Sequence, residues 1–281
     1  MSEYLHAPIE LACELMDLPR STYYYHSHKA DESQLQADMA QVVGQFTQYG
    51  TRRVAHQLRR APHHYRINRK RAQRIMRKRH WLRPVQQKGY RTTQSDHAYP
   101  RYDNLVKELA VTHPEQVWVS DVTYIRLGQG FVFLAILLDV FTRCIRGWHL
   151  STACDTALTL AALRMALADR VPLIHHSDQG GNYAAHAYID ELRKYRIQIS
   201  MAAAGKAEEN GYAERFMRTI KEEEVDLSDY RDFAEAQKQI RQFVEDVYNH
   251  KRIHSSLGYL TPAEFELAYR LALTQPIEGT P

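Results

Sequence analysis

The sequence is poor in cysteine and has no long apolar run. Its three cysteines, Cys13, Cys144 and Cys154, are too few and too scattered for a disulfide framework, and they lack zinc-finger spacing. No stretch of eighteen apolar residues occurs, so no transmembrane helix is expected. The first twenty residues lack the basic start and apolar segment of a secretory signal. These absences predict a protein of the reducing cytoplasm with no membrane anchor.

Acidic residues are missing from one part of the chain. Residues 51–91 contain fifteen Lys or Arg and no Asp or Glu, a charge of +15. Residues 1–50 hold two basic against seven acidic residues (−5), and residues 92–281 hold twenty against twenty-six (−6), so the sum is the net +4. A charge run is usually a solvated face, but a basic block of this length without an acid favours contact with nucleic acid.

The apolar pattern of the first third predicts short amphipathic helices. Leu35, Met39 and Val42 lie at helical spacing, and Asn68 is placed to cap a strongly basic helix over residues 69–80. We therefore expect an N-terminal helical segment over residues 1–33, then a helix-turn-helix-like DNA-binding module over residues 34–90. A helical bundle with a solvated basic face is the alternative. The candidate DNA contacts of the module are Arg52, Arg53, Arg69, Lys70, Arg71, Arg74, Arg77 and Lys78.

The remainder of the chain changes character after a polar segment, residues 91–115, which we interpret as a linker. Strands are predicted at 117–125, 131–138, 143–149, 171–176 and 197–201, and helices at 155–168, 183–195 and from Glu208. The order β-β-β-α-β-α-β-α predicts a mixed α/β domain over residues 116–226. A C-terminal helical extension over residues 227–281 follows, with a capping box at Thr261–Glu264.

Three acids stand out in the α/β part. Asp121 lies inside an apolar strand, which costs stability unless the carboxylate is paired, solvated or metal-bound. Asp178 follows a predicted strand directly, at the sheet edge where sites usually form in α/β proteins. Glu214 lies on a later helix, beside Arg218 and Lys221. Taken singly, each has an ordinary interpretation, as a turn or cap residue for Asp178 and a surface ion pair for Glu214.

Five ordered motifs give these acids a context. WVSDVTYI, LDVFTRCIRGW, HHSDQGGNY, ENGYAERFMRTIKEE and YNHKRIHSSLGYLTPAEF resemble motifs of bacterial insertion-sequence transposases of the two-reading-frame type. Upstream, LMDLPRSTYYY and YGTRRVAHQL resemble the helix-turn-helix region of the same proteins. The likeness extends from about residue 10 to residue 267. The stretch before Glu214 departs in one respect, since the usual Asp-Asn is Glu209-Asn210 here, a change that keeps the charge.

The resemblance implies an RNase H-like core of the retroviral integrase type, a mixed sheet with flanking helices, and a transposase of the DDE type. Asp121, Asp178 and Glu214 would then hold two Mg²⁺ or Mn²⁺ ions, because these hard cations prefer carboxylate and water ligands. Two ions about 4 Å apart activate the attacking oxygen and stabilise the leaving one. Water would free a 3′-OH, which then attacks another strand, so that cleavage and strand transfer use one site.

Several other residues have two interpretations. We expect Asp139 to be a structural acid of a turn, and His175 and His176 to be packed rather than metal-bound. Arg218 and Lys221 are candidate contacts to DNA phosphates, with a solvated helix surface as the alternative. The remaining candidates form a basic cluster for which contact with DNA and a structural role are equally open: His250, Arg252 and His254.

The partners implied by the resemblance are the transposon ends and the target DNA. A homo-oligomer on DNA is expected, in the cytoplasm with the nucleoid, and no membrane. Because the sequence has no heptad pattern, we also expect a partner from the first reading frame, or a fused long form. Three rival functions stay open: a non-catalytic DNA-binding regulator, a nuclease of the same superfamily that cuts without joining, and a decayed element that binds DNA without moving it.

Overall fold

The computed structural model describes residues 8–25, 31–83, 101–203 and 206–274. Helices α1 to α5 span Ile9–Leu15, Arg20–Tyr23, Ser33–Gln45, Thr51–Arg59 and Arg69–Lys78. Strands β1 to β5 span Val117–Arg126, Phe131–Asp139, Ile145–Ser151, Ile174–Ser177 and Gln198–Met201. Helices α6 to α11 span Thr156–Leu167, Gly181–Ala184, His186–Lys194, Gly211–Glu223, Phe233–Gln242 and Pro262–Thr274. Short 3₁₀ turns lie at Ala207–Asn210, Val225–Leu227 and Ser255–Leu257, and a π-helical stretch lies at Phe243–Tyr248.

The five strands form one mixed sheet in the order β3-β2-β1-β4-β5. β1, β2 and β3 pair in antiparallel fashion, whereas β4 is parallel to β1 and β5 is parallel to β4. β1 is therefore the central strand, hydrogen-bonded to both an antiparallel and a parallel neighbour. The sheet and its flanking helices confirm the predicted fold class and the predicted order of elements.

The alternation of side chains along β1 separates two apolar cores. Val117, Val119 and Ile125 point to the core that contains Phe216 and Ile220 of α9, and α10 also contributes to it. Trp118 points to the opposite core, which is formed with α6, α7 and α8. Asp121 differs from Val119 by two positions, so it faces the side of the sheet that α9 covers.

The N-terminal module is a cluster of three helices, α3, α4 and α5, with its own buried core. The Asn68 side chain accepts a hydrogen bond of 2.8 Å from the Arg71 N–H and caps α5, as predicted. The module also packs against the C-terminal part of the chain. The Tyr49 hydroxyl accepts a bond of 2.8 Å from the Ile253 N–H, and the His56 ring stacks on Tyr259 at 3.5 Å.

A buried ion cluster joins this module to α9. The Arg252 guanidinium, on a residue only 2% exposed, donates two bonds of 2.7 Å to the Glu223 carboxylate. The Arg53 guanidinium lies 3.8 Å from the same carboxylate. Of the two interpretations left open for Arg252, the structure supports the structural one, because its guanidinium is buried and paired with Glu223. His250 by contrast is exposed.

Element boundaries differ from the prediction where a turn or a chain reversal intervenes. The fourth strand begins at Ile174 rather than at residue 171, and the third begins at Ile145 because Asp139 organises the turn before it. The predicted helix 183–195 is divided at Ala185, whose ψ of 139° is extended. Of the expected linker, residues 91–100 lie outside the described part, and residues 101–115 contain no helix or strand. None of the described helices is both long and apolar enough to cross a membrane.

The buried cluster gives a stability prediction. Glu223→Gln removes one negative charge from between Arg252 and Arg53 and should lower the free energy of unfolding by about 3 kcal/mol. Urea denaturation of the purified chain measures this change. Glu222→Gln is the matched control on the same helix, since its partner Arg83 is more exposed, and it should cost at most about 1 kcal/mol. Equal losses in the two variants would contradict the assignment.

Candidate active site

Asp121 lies at the middle of the central strand. Its Oδ1 accepts a hydrogen bond of 2.8 Å from the Val122 N–H, which fixes the carboxylate close to the backbone. The neighbouring Ser120 is buried, and its hydroxyl donates to the Ile136 carbonyl at 2.9 Å. A hydrogen bond within the central strand of the sheet therefore orients the carboxylate.

Asp178 is brought beside Asp121 by parallel strand pairing. Val119 of β1 is in register with His176 of β4, so continuing both strands by two residues sets Asp178 next to Asp121. The Asp178 Oδ1 accepts a bond of 2.9 Å from the Gly180 N–H. A Cβ at position 180 would come within 2.9 Å of that oxygen, so glycine leaves the carboxylate its room. Gly180 is a site residue that the sequence reasoning missed.

Glu214 reaches the same side of the sheet from the first turn of α9. The apolar stripe of this helix packs on the sheet, with Ala213 and Phe216 in the shared core. Asn210, 3% exposed, precedes the helix and donates from Nδ2 to the Ser120 carbonyl at 2.9 Å. This bond ties the start of α9 to the residue before Asp121. The sequence signal for Asn210 was its position in the motif that contains Glu214, but its long-range contact was not foreseen.

The electrostatics show that the three acids act on one another. Burial, followed by the charge of Asp178 and then that of Glu214, raises the pKa of Asp121 to about 7. The Val122 N–H and the ammonium of Lys221 oppose this rise. Lys221 lies on the same edge of α9 as Glu214, and its Nζ is 4.5 Å from the centre of the Tyr124 ring. The charges of Asp178, Glu214 and Lys221 are therefore all felt at Asp121.

The donor set fits a hard divalent cation by its chemistry. It consists of carboxylates that repel one another, and this repulsion contributes to the raised pKa of Asp121. A bound cation would relieve the repulsion. In the part of the chain that the structure describes, however, no three His, Cys, Asp or Glu side chains converge closely enough to be a ready-made cation site. Asp121 and Asp178 are placed by the register of β1 and β4, whereas Glu214 comes from a separate element, α9.

The two histidines before Asp178 are packed, as expected. His175 and His176 are buried on opposite faces of β4: His175 Nε2 is 2.9 Å from the Tyr188 hydroxyl, and His176 Nδ1 is 2.8 Å from the Ser200 hydroxyl. Burial lowers the pKa of His175 to about 3 and that of His176 to about 4, so both rings are neutral at neutral pH. Both histidines therefore pack inside the protein and add no charge to the site.

Two further acids have structural roles. Asp139 accepts from the Thr142 N–H at 2.6 Å and from the Glu115 N–H at 2.7 Å, which confirms the prediction of a turn acid. Glu209 accepts from the Ala203 N–H at 2.8 Å and from the Asn104 side chain at 2.8 Å. Glu209 is the residue that replaces the usual Asp of the family motif, and its carboxylate connects the segment before β1 to the segment before α9.

The predicted DNA contacts divide into two groups. Arg71 and Arg74 share the carboxylate of Glu32, and Arg53 lies against Glu223. These three positive charges are therefore partly compensated by acidic side chains of the protein. The others are exposed: Arg52, Arg69, Lys70, Arg77, Lys78 and Arg218. Lys221 is half-buried beside the acids.

Comparison with protein families agrees with this architecture. Two integrase core domain models match residues 111–207 and 195–262, and an HTH-like domain model matches residues 29–89. The insertion element IS600 31 kDa protein of Shigella sonnei is 34% identical over 270 residues, which cover 92% of this chain and 98% of that protein. The transposase for insertion sequence element IS629, also from Shigella sonnei, is 31% identical and covers 92% of this chain and 90% of its own length. The chain belongs to the family of insertion-sequence transposases.

Other relatives of this transposase match a shorter part. The transposase for insertion sequence element IS904 of Lactococcus lactis is 36% identical over 167 residues, 58% of this chain and 66% of that protein. Among solved structures, the HTLV-2 integrase catalytic core in complex with magnesium covers 54% of this chain and 97% of its own, at a TM-score of 0.42 and 18% identity. A chain of the simian T-cell lymphotropic virus intasome covers 86% of this chain and 76% of its own, at a TM-score of 0.47 and 14% identity.

The raised pKa of Asp121 predicts that the stability of the metal-free chain depends on pH. The folded metal-free chain keeps a proton on Asp121 up to a pH of about 7, whereas the unfolded chain loses it near pH 4. The folded state therefore binds more protons between these values, and its stability falls as the pH rises through this window. Asp121→Asn removes the effect, so this variant should melt above the parent at about pH 8, with the gap shrinking toward about pH 5.

Thermal melting in the presence of a chelator measures this gap. Each kcal/mol of relieved repulsion corresponds to roughly 2–4 °C for a chain of this size. Asp190→Asn is the control, since its side chain is 69% exposed on α8, and it should melt like the parent at every pH. An Asp121→Asn curve that is parallel to that of the parent would contradict the buried, crowded carboxyl.

Proposed function

We propose that this transposase cuts DNA strands at the ends of an insertion sequence and joins them to new strands at a single site formed by Asp121, Asp178 and Glu214. The observation that carries the proposal is the pKa of Asp121, which responds to both other acids although they are far apart in the sequence. Repulsion of this kind serves no structural purpose, and it is the arrangement expected of a DDE-type polynucleotidyl transferase that concentrates negative charge for cations.

The cofactor would be Mg²⁺ or Mn²⁺, two ions, held by the three carboxylates. When bound, such ions activate the attacking oxygen and stabilise the leaving oxygen of a phosphodiester. Asp121 and Asp178 would bind from fixed strand positions, and Glu214 from the start of α9. The proton that metal-free Asp121 holds near neutral pH would be displaced when it becomes a ligand.

Positively charged groups around the acids would place the DNA. Lys221 lies near Asp121 and on the edge of α9 that presents Glu214, where its ammonium can bind a non-bridging oxygen of the reacting phosphate. The exposed cations of α5, with Arg52 of α4, would contact the DNA backbone from the N-terminal module. Arg71, Arg74 and Arg53 contribute less, because acids of the protein already compensate them.

The partners would be DNA and further copies of the protein. The DNA would be the transposon ends and the target, bound by an oligomer of this chain because two ends must be joined in register. Phosphate contacts position a protein without specifying sequence, so we propose that a first-frame product or a fused long form supplies end recognition. Its place would be the cytoplasm, on the nucleoid.

The experiment that tests the proposal follows the reaction with purified protein and DNA that bears the element's ends. Asp121→Asn, Asp178→Asn and Glu214→Gln should each lower cleavage and joining at least about 100-fold, because a ligand to the cations acts on the transition state. The affinity for DNA should stay within a few-fold of the parent. Mg²⁺ or Mn²⁺ should support the reaction, and Ca²⁺ should support assembly at most.

The control is Glu222→Gln, on the same helix as Glu214 but paired with Arg83 away from the acids, which should leave both steps close to parental rates. Parental cleavage by any of the three acid variants, or full activity in excess chelator, would refute the site. Cleavage of the ends without any joining, also from pre-cut ends, would favour the nuclease instead.

A further inference from the structure

Helix α9 exposes two arginines and a tyrosine on one side, starting next to Glu214. At about 100° per residue, Arg218, Arg215 and Tyr212 lie roughly 40°, 100° and 160° around the helix axis from Glu214. All three are exposed, whereas Ala213, Phe216 and Ile220 on the other side are buried. Two exposed arginines and an exposed aromatic ring therefore lie on one side of α9, next to the candidate active site.

A third arginine contacts the tyrosine of this group. The Arg143 guanidinium lies over the Tyr212 ring, 4.0 Å from its centre. Arg143 belongs to the turn between β2 and β3, and its backbone is left-handed, with a φ of 64°. Glycine adopts this conformation without strain, but a residue with a Cβ does so at a cost.

The charges of the three arginines are not used by the protein itself. In the ranges that the structure describes, Arg143, Arg215 and Arg218 form no ion pair with any carboxylate. The Arg143 Nη1 is buried and has no hydrogen-bond partner, so a phosphate would have to be bound by the other nitrogens of this guanidinium. The nearby Glu223 is already engaged by Arg252 and Arg53. Burial, together with Arg252, Arg53, Arg143 and Arg215, lowers the pKa of His254 to about 2, so this ring stays neutral beside the arginines.

We propose that Arg143 and Arg215, with the ring of Tyr212, bind a phosphodiester of the DNA strand at a point beyond the three acids. Arg218 would contact the same strand between the acids and this site. This inference rests on the proposed function, because it takes DNA as the ligand. It extends the DNA surface from the N-terminal module onto the catalytic core. Guanidinium groups suit this role, since they bind phosphate oxygens in pairs while stacking on an aromatic face.

The test uses a matched pair of arginines. Arg196 is also left-handed, with a φ of 57°, and it lies in the turn between α8 and β5; its side chain is exposed, whereas that of Arg143 is half-buried. Arg143→Gly and Arg196→Gly therefore remove the same charge and relieve the same backbone strain. A fluorescein-labelled DNA duplex of arbitrary sequence is titrated with the full chain at several KCl concentrations, and binding is followed by fluorescence anisotropy. The Tm of each variant is measured in parallel.

Arg143→Gly should weaken binding several-fold and flatten the log–log salt slope by about one unit, the loss expected for one phosphate contact. Arg215→Ala should do the same, and the double variant should lose about two units. Arg196→Gly should match the parent. The Tm of Arg143→Gly should be no lower than that of the parent, because glycine suits the turn.

An unchanged slope for Arg143→Gly, or equal losses for Arg143→Gly and Arg196→Gly, would overturn the site. If Arg143→Gly melts below the parent, Arg143→Gln decides, since it keeps a long side chain over Tyr212 without the charge; a parental slope in this variant would mean a structural role and would also overturn the site. A parent chain that binds no DNA would refute the proposed function itself, which distinguishes that failure from failure of this site.

Discussion

The contact between α9 and β1 is the interaction on which the rest of the structure depends. One face of α9 contributes Phe216 and Ile220 to the apolar core that lies on the central strand. Its start is tied to the strand by the bond from Asn210 to the Ser120 carbonyl. Because helix and strand are fixed to each other in this way, Glu214 is delivered to the same side of the sheet as Asp121. The concentration of negative charge there follows from packing that has nothing to do with charge.

The same helix also connects the two halves of the molecule. Glu223, near its end, holds the buried Arg252 and faces Arg53 of the N-terminal module. The module in turn buries Ile253 in its own core. A single helix therefore touches the sheet, the basic module and the C-terminal segment, and its remaining exposed side presents arginines to solvent.

The sequence predicted those features that are encoded locally. The strand pattern around Asp121, the Asn68 cap, the capping box at Thr261 and the order of elements need only neighbouring residues, and the structure confirms each of them. The capping box shows both of its bonds, at 2.9 and 3.2 Å. The three acids were recognised by motif and spacing, and strand register explains why Asp121 and Asp178 come together.

The features that the sequence did not predict depend on contacts between distant residues. Arg252 belongs to a run with His250 and His254 that has the composition of a DNA-binding surface, yet its partner Glu223 lies 29 positions earlier and takes it into the interior. Arg53 was predicted to contact DNA because its neighbours in the sequence are basic, but it too lies against the distant Glu223. The close approach of Gly180 to the Asp178 carboxylate depends on where that side chain lies, which no periodicity encodes.

The central claim is that the three acids form one cation site, and anomalous scattering from crystals grown with Mn²⁺ tests it most directly. The account predicts a manganese peak between the carboxylates of Asp121 and Asp178, with Glu214 moved toward it, and loss of that peak in Asp121→Asn. Manganese bound elsewhere while all three carboxylates stay unliganded, or a peak that persists unchanged in Asp121→Asn, would contradict it.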